Sequence, residues 1–139
     1  MSIHVSTRCH YAIKALVRLA MSSDERPVQG REIAAFGGIP AKFLEQVMHD
    51  LRQAGLVTSL RGKNGGYRLA ADPAAITFAR VREAIDGPFG AERMRGAGQA
   101  DALVDPVWDE VRRAVREVLA GATIAAAAER GRSLDMYYI

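Results

Sequence analysis

The residues best suited to chemistry in this chain lie in the segment 55–69, GLVTSLRGKNGGYRL. Arg61 and Lys63 sit on a glycine-rich tip, and Arg68 follows closely. Three cations on a small exposed tip are poorly suited to a protein core. They are well suited to a phosphate backbone, which binds Lys and Arg electrostatically. The segment therefore predicts contact with a polyanion.

The same segment predicts a β-hairpin that would present these cations. Val57 and Leu60 open one extended run, and Tyr67 and Leu69 alternate on the return run, with the period of two of a half-buried strand. The run 64–66, Asn-Gly-Gly, supplies residues that tolerate positive φ, as tight hairpin turns require. We expect Tyr67 to pack at the base of this hairpin.

Three helical patterns precede the hairpin. Ser6 or Thr7 can cap a first helix that runs to about residue 21. A second covers about 30–36, and a third runs from Pro40 to about residue 54 and is closed by Gly55. The Gly-Gly-Ile-Pro turn between the last two predicts a helix-turn-helix unit. A basic hairpin directly after it predicts a winged helix-turn-helix.

The second helix of a helix-turn-helix enters the major groove of DNA. On this helix Gln46 could pair with adenine and Glu45 could accept from cytosine N4. Each of these positions alone is as typical of a solvated helix surface as of a base contact. Together, beside a basic hairpin, they favour DNA binding. The predicted base-contacting residues are Lys42, Glu45, Gln46 and His49. The predicted contacts to the DNA backbone or minor groove are Arg8, Arg61, Lys63, Asn64 and Gly65.

The second half of the chain is predicted to serve self-association. A short helix capped by Thr77 reaches about residue 86, and 87–105 is predicted to be a loop. Apolar residues then step by four and three along a helix over about 106–119, as in a coiled-coil seam. The alternative is a helix that packs on its own domain. The predicted dimer interface comprises Trp108, Val111, Val115 and Val118.

These patterns divide the chain into 1–86 (DNA-binding domain), 87–105 (loop), 106–130 (dimerisation helices) and 131–139 (tail). The fold class is mainly α with a small β-hairpin. Residues 1–70 hold ten Lys/Arg and five Asp/Glu, a net +5, whereas 71–139 hold nine and eleven, a net −2. A basic first half suits a polyanion partner.

Composition and the absence of certain motifs argue against several other classes of protein. A single cysteine, Cys9, rules out an internal disulfide framework. No signal peptide or membrane span is predicted, so we expect a cytoplasmic protein without a membrane partner. No phosphate-binding loop, dinucleotide fingerprint or HExxH motif is found, so we do not expect an enzyme. A winged-helix module that binds proteins rather than DNA remains the alternative.

The chain resembles the Rrf family of bacterial winged helix-turn-helix transcriptional regulators. The most specific match is RGKNGGYRL at 61–69; Tyr11-Ala12, 31–34, 39–46, 51–57, Ile76-Thr77 and Trp108 also match. The resemblance implies a homodimer, joined through the long C-terminal helix, on a pseudo-palindromic operator. We expect a repressor that responds to a redox, iron/sulfur or small-molecule signal. The resemblance also implies that Glu45 reads a base and that Arg61 contacts the minor groove or backbone.

One departure from the family concerns its sensor. Many relatives hold an iron–sulfur cluster through three cysteines in the loop that corresponds to 87–105, and this loop has none. We therefore predict no cofactor. Three explanations stay open: a small-molecule effector or partner protein, a thiol sensor at Cys9, or a cluster-sensing regulator whose loop cysteines have been replaced. His10 aligns where some relatives supply a cluster ligand; the alternative is a polar surface residue.

Overall fold

The computed structural model describes residues 5–22, 26–88 and 98–138. Within them the chain forms a mainly helical fold with one antiparallel hairpin, and the predicted winged helix-turn-helix with a long C-terminal helix is confirmed. The elements are α1 (Thr7–Met21), α2 (Gly30–Gly37), α3 (Ala41–Gln53), β1 (Val57–Leu60), β2 (Gly66–Leu69), α4 (Phe78–Asp86), α5 (Asp101–Gly121) and α6 (Ile124–Tyr138).

The core is built around α1, which contacts α2, α3, α4 and α6. Small residues on its inner face let the other helices approach closely, while Leu16 and Leu19 fill the centre. Helix α6 closes the core from the far end of the chain, where Ile124 and Ala128 are fully buried. The DNA-binding unit and the end of the chain therefore share one core.

Side-chain caps confirm the predicted starts of α1 and α4, and a third cap of the same kind begins α6. The hydroxyls of Ser6, Thr77 and Thr123 each accept a hydrogen bond from the backbone N–H three residues later, at 3.0, 3.0 and 3.1 Å. Such caps satisfy donors that the first helical turn leaves unpaired. Ser6 also donates from its hydroxyl to Asp86, with 2.5 Å between the oxygens, which joins the start of α1 to the end of α4.

The two C-terminal helices are longer than the sequence pattern predicted. Helix α5 begins at Asp101 rather than at Pro106, so 101–105 are helical and Pro106 lies inside the helix. Proline favours the first turn of a helix, which placed the predicted start too late. Helix α6 runs to Tyr138, into the segment 131–139 that was predicted to be a tail, and Arg132 on it donates to the carbonyl of Ala20 on α1 at 2.7 Å. Met94 and Ala97, in the predicted loop, lie outside the described residues.

The hairpin has the predicted strands but a different turn. Val57 pairs with Leu69, and the register continues to the last pair, Leu60 with Gly66. The sequence predicted positive φ in the run 64–66. In the structure, Gly66 has a positive φ, whereas Asn64 and Gly65 do not. A second positive φ, of 109°, occurs at Gly62. The predicted turn chemistry is thus wrong at Asn64 and Gly65.

The hairpin is joined to the helix-turn-helix by a pairing that the sequence did not predict. Val28, just before α2, pairs with Tyr67 through two backbone hydrogen bonds of 2.9 and 2.8 Å. Tyr67 is half-buried and packs against the core, as expected. These bonds fix the position of the hairpin, called the wing below, beside the second and third helices.

Candidate nucleic-acid interface

Helix α3 separates its polar and apolar residues on opposite faces. Its buried residues are Leu44, Val47, Met48 and Leu51. All four predicted base-contacting side chains, on the other face, are exposed: Lys42, Glu45, Gln46 and His49. The arrangement follows from the 3.6-residue period of the helix, which turns one stripe to the core and leaves the other for a partner.

Two cations hold the ends of the helix-turn-helix in place, and sequence analysis missed both. Lys14 on α1 donates to the carbonyl of Gly37 at the end of α2, at 2.9 Å. Arg80 on α4 donates to the carbonyl of Ala54 at the end of α3, at 3.0 Å. The last carbonyls of a helix lack internal donors, so both bonds stabilise helix ends. The partners are far apart in sequence, and no local pattern signals them.

Arg8, a predicted phosphate contact, pairs with Asp50 of α3 in the structure. Both side chains are partly exposed, so the ion pair contributes little to stability. The ion pair does, however, link α1 to α3 next to the exposed polar face of α3. Contact between Arg8 and DNA stays a prediction.

The wing places Arg61, Lys63 and Asn64 in solvent, with Gly65 half-buried behind them. A groove of about 420 Å³ separates the wing from the helix-turn-helix. Arg61 on the wing and Arg52 on α3 line it, and no carboxylate lines its described walls. The charge of this groove therefore suits a phosphate group.

A smaller cleft of about 130 Å³ lies on the other side of the tip. Arg26 and Arg31 line it together with Glu32. The carboxylate of Glu32 offsets part of the positive charge, and it already accepts a hydrogen bond from the backbone N–H of Gln29 at 3.2 Å. The larger groove is therefore the better candidate for a phosphate strand.

Helix α5 packs against α4 and carries a stripe of large apolar side chains that differ in exposure. Val111 and Val115, two of the predicted interface residues, are half-buried within the protomer. Leu103, Val107 and Val118 form the open apolar face of the helix, at 79%, 57% and 70% exposure. Trp108, also a predicted interface residue, is 37% exposed. The open apolar face is rotated from the predicted seam toward Leu103 and Val107.

Cys9 and His10 occupy opposite environments. His10 is exposed, whereas Cys9 is fully buried in the core. Burial raises the pKa of the Cys9 thiol to about 12, and the charge of Asp86 adds to the rise, while Arg82 acts against it. The thiolate is the reactive form of cysteine. A thiol that stays protonated and is enclosed by the core is poorly placed to act as a sensor.

We therefore expect Cys9 to resist alkylation in the folded protein. Its pKa of about 12 keeps it protonated at pH 8, and the thiolate fraction rises only as pH approaches 12. Iodoacetamide labelling followed by mass spectrometry at pH 8 should proceed at least ~100-fold more slowly than in the urea-unfolded chain, whose thiol titrates near ~8.5. Equal rates in the folded and unfolded states would show that Cys9 is open to oxidants, and the thiol-sensor hypothesis would gain support.

An outward polar face on the second helix of a helix-turn-helix, beside a cationic wing, defines a DNA-binding transcriptional regulator of the winged-helix class. Residues 5–130 match the Rrf2 family, described as iron-dependent transcriptional regulators, and the chain belongs to this family. Within the described residues, no helix is long and apolar enough to span a bilayer.

Relatives in sequence and structure are named as regulators too. A proposed HTH-type transcriptional regulator of Mycobacterium tuberculosis (strain H37Rv) is 37% identical over 129 residues, covering 88% of this chain and 80% of that protein. The structure of CymR, the global cysteine regulator of B. subtilis, has a TM-score of 0.81 at 32% identity, with 93% of this chain and 98% of that one covered. IscR of T. potens has a TM-score of 0.75 at 33% identity, with 94% and 90% covered.

The residues of this chain do not fit the cysteine-ligated iron–sulfur cluster that the family resemblance implies. Such clusters are held by several thiolates, and the whole sequence contains one cysteine. That cysteine lies in the core, and its raised pKa disfavours the thiolate that would bind iron. In the described ranges, no group of three or more His, Cys, Asp or Glu residues could hold a metal ion.

Proposed function

We propose that this regulator is a homodimeric repressor, acting in the bacterial cytoplasm on a pseudo-palindromic operator. The observation that carries the proposal is the exposed polar face of α3 beside a groove lined by Arg52 and Arg61. A phosphate strand in this groove would place α3 in the adjacent major groove. Two protomers related by a two-fold axis would read two half-sites.

Within each protomer, base reading and backbone contact fall to different elements. We propose that Lys42, Glu45, Gln46 and His49 meet base edges. Lys42 is already held at the helix surface, since its Nζ lies 4.9 Å from the centre of the Phe43 ring. Arg61, Lys63, Asn64, Gly65 and Arg8 would meet the sugar–phosphate backbone or minor groove, where contacts set position rather than sequence.

The dimer contact is proposed to form through α5. Monomeric proteins rarely expose contiguous large apolar side chains, and this helix exposes Leu103, Val107 and Val118 on one face. A second copy of the same helix is apolar in the same places, so each face can cover the other about a two-fold axis. Trp108, Val111, Val115 and Val118, the residues of the predicted seam, border or share that face.

The signal is proposed to be a small-molecule effector or a partner protein, because the chain lacks the thiolates of a cysteine-ligated cluster. Iron and sulfide analysis of protein purified without oxygen tests this point. We expect colourless, iron-free protein that still binds DNA. Stoichiometric iron with visible absorbance would contradict the proposal and would make His10 and Cys9 candidate ligands.

The division of roles predicts different effects of Glu45→Ala and of Arg61→Ala or Lys63→Ala. Removing a wing cation should weaken binding to all duplexes by a similar factor and flatten the dependence of log affinity on log salt by about one unit per protomer, hence about two for the dimer. Removing Glu45 should change the ranking of duplexes, with a penalty of about 1–3 kcal/mol per half-site confined to one base position in each half-site. Competition binding against operator and scrambled duplexes at several salt concentrations measures both effects.

Gln53→Ala serves as the matched control, because Gln53 is exposed on the same helix but carries no predicted contact. It should leave both affinity and ranking unchanged. Equal losses for the Glu45 and wing variants on every duplex would refute the division of roles. An affinity of the wild type that does not change with salt would refute DNA binding and favour a winged-helix module that binds proteins.

A further inference from the structure

A chain of three side chains connects α3 to the wing. Arg52 Nη2 lies 3.3 Å from His49 Nδ1, one helical turn earlier. Its other terminal nitrogen, Nη1, donates to the hydroxyl of Ser59 on β1 at 3.1 Å. Arg52 thus lies between α3 and the wing and lines the larger groove.

The contact with Arg52 determines which nitrogen of the His49 ring accepts a hydrogen bond and which carries the proton. A guanidinium carries only hydrogen-bond donors, so Nδ1 of His49 must be the acceptor. In a neutral imidazole the proton then resides on Nε2, since the contact at one nitrogen sets the role of the other. His49 is exposed on the polar face of α3. Its Nε2–H is therefore a donor available to a partner in solvent.

We propose that Arg52 is a positioning residue that presents His49 to DNA as a hydrogen-bond donor and keeps the wing in register with α3. The inference rests on the proposed function and adds to it a preference for particular bases in the DNA. An outward N–H suits the major-groove acceptors of guanine, adenine and thymine, whereas cytosine presents only its N4 donor there. His49 then selects against cytosine at the base that it faces, and Arg52 is required for that selection.

The protonation of His49 can be tested without DNA. Nitrogen-15 NMR of the imidazoles, at a pH where the rings are neutral, distinguishes a proton on Nε2 from one on Nδ1. We expect His49 to carry its proton on Nε2 in the wild type. Arg52→Ala should shift the ring to a mixture of tautomers, whereas Gln53→Ala should leave it unchanged. A wild-type ring with its proton on Nδ1 would overturn the proposal.

A double-mutant cycle then tests the effect on recognition. The probe is a pool of duplexes with a randomised central segment, enriched on the wild type. His49→Ala and Arg52→Ala should each weaken binding to the enriched duplex about 5- to 100-fold per half-site, and both should relax the same position in each half-site to admit cytosine. Because the selection at this base depends on Arg52 only through His49, the double variant should lose no more base preference than His49→Ala alone.

Additive losses of base preference, or an Arg52→Ala protein that keeps its preference at that position, would show that Arg52 acts only on the phosphate groove and does not position His49. Arg52→Lys separates the two roles further: lysine keeps the charge but cannot reach both partners with one ammonium group, so affinity should recover more than base preference. If the wild type enriches no duplex at all, the proposed function fails, whereas the NMR result still decides the orientation of His49.

Discussion

Replacing Val107 and Val118 by aspartate together is expected to convert the protein from a dimer to a monomer. Both side chains are mostly exposed in the protomer, at 57% and 70%, so the monomer should still fold. In the proposed dimer the four new carboxylates would be buried without partners, and each such charge costs several kcal/mol. Light scattering measures the mass, and circular dichroism checks the helix content.

Loss of the dimer should also remove most of the operator affinity. A monomer engages one half-site and forgoes the effective concentration that the second provides, so binding should weaken about 10²- to 10⁴-fold. The matched control is Arg113→Asp with Glu117→Asp, which changes the net charge by the same −2 at exposed positions of α5 outside the apolar face. A dimeric mass for the Val107/Val118 variant would show that the interface lies elsewhere.

Replacing Gly65 by alanine is expected to deform the wing without unfolding the domain. A Cβ at this position would lie 2.2 Å from the carbonyl oxygen of Leu60 and 2.9 Å from the carbonyl carbon of Arg61. Both are backbone atoms, so the tip must change shape. We expect a loss of stability of about 1–3 kcal/mol and a drop in DNA affinity of at least about tenfold, because Arg61 and Lys63 move with the tip.

Gly98→Ala is the control for this change. A Cβ at Gly98 would lie 4.0 Å from the backbone nitrogen of Ala100, which is an ordinary contact, so the substitution should alter neither melting temperature nor affinity. Thermal unfolding and the salt-dependent binding assay report both quantities for each variant. Wild-type affinity in the Gly65→Ala protein would show that the shape of the tip does not matter for DNA binding, and the wing would lose its proposed role.

Sequence alone determined the parts of this protein that depend on local rules. The apolar stripes and capping hydroxyls predicted the first four helices, because a helix repeats every 3.6 residues and its ends have fixed chemical needs. Alternation of apolar residues predicted both strands of the wing. The run RGKNGGYRL indicated the family, and the exposed face of α3 followed from the buried one. Local patterns were therefore enough to predict the DNA-binding class of this regulator.

The tertiary structure decided what joins these parts, since partners distant in sequence leave no periodic signal. Val28 anchors the wing, and Arg52 links it to the recognition helix, through contacts that need the folded chain. Burial of Cys9 depends on helices from both halves of the chain, which pack around α1. The start of α5 at Asp101, before the predicted start at Pro106, also could not be read from local sequence. Proline signals a helix start locally, whereas the packing of α5 against α4 is a tertiary contact that no local pattern predicts.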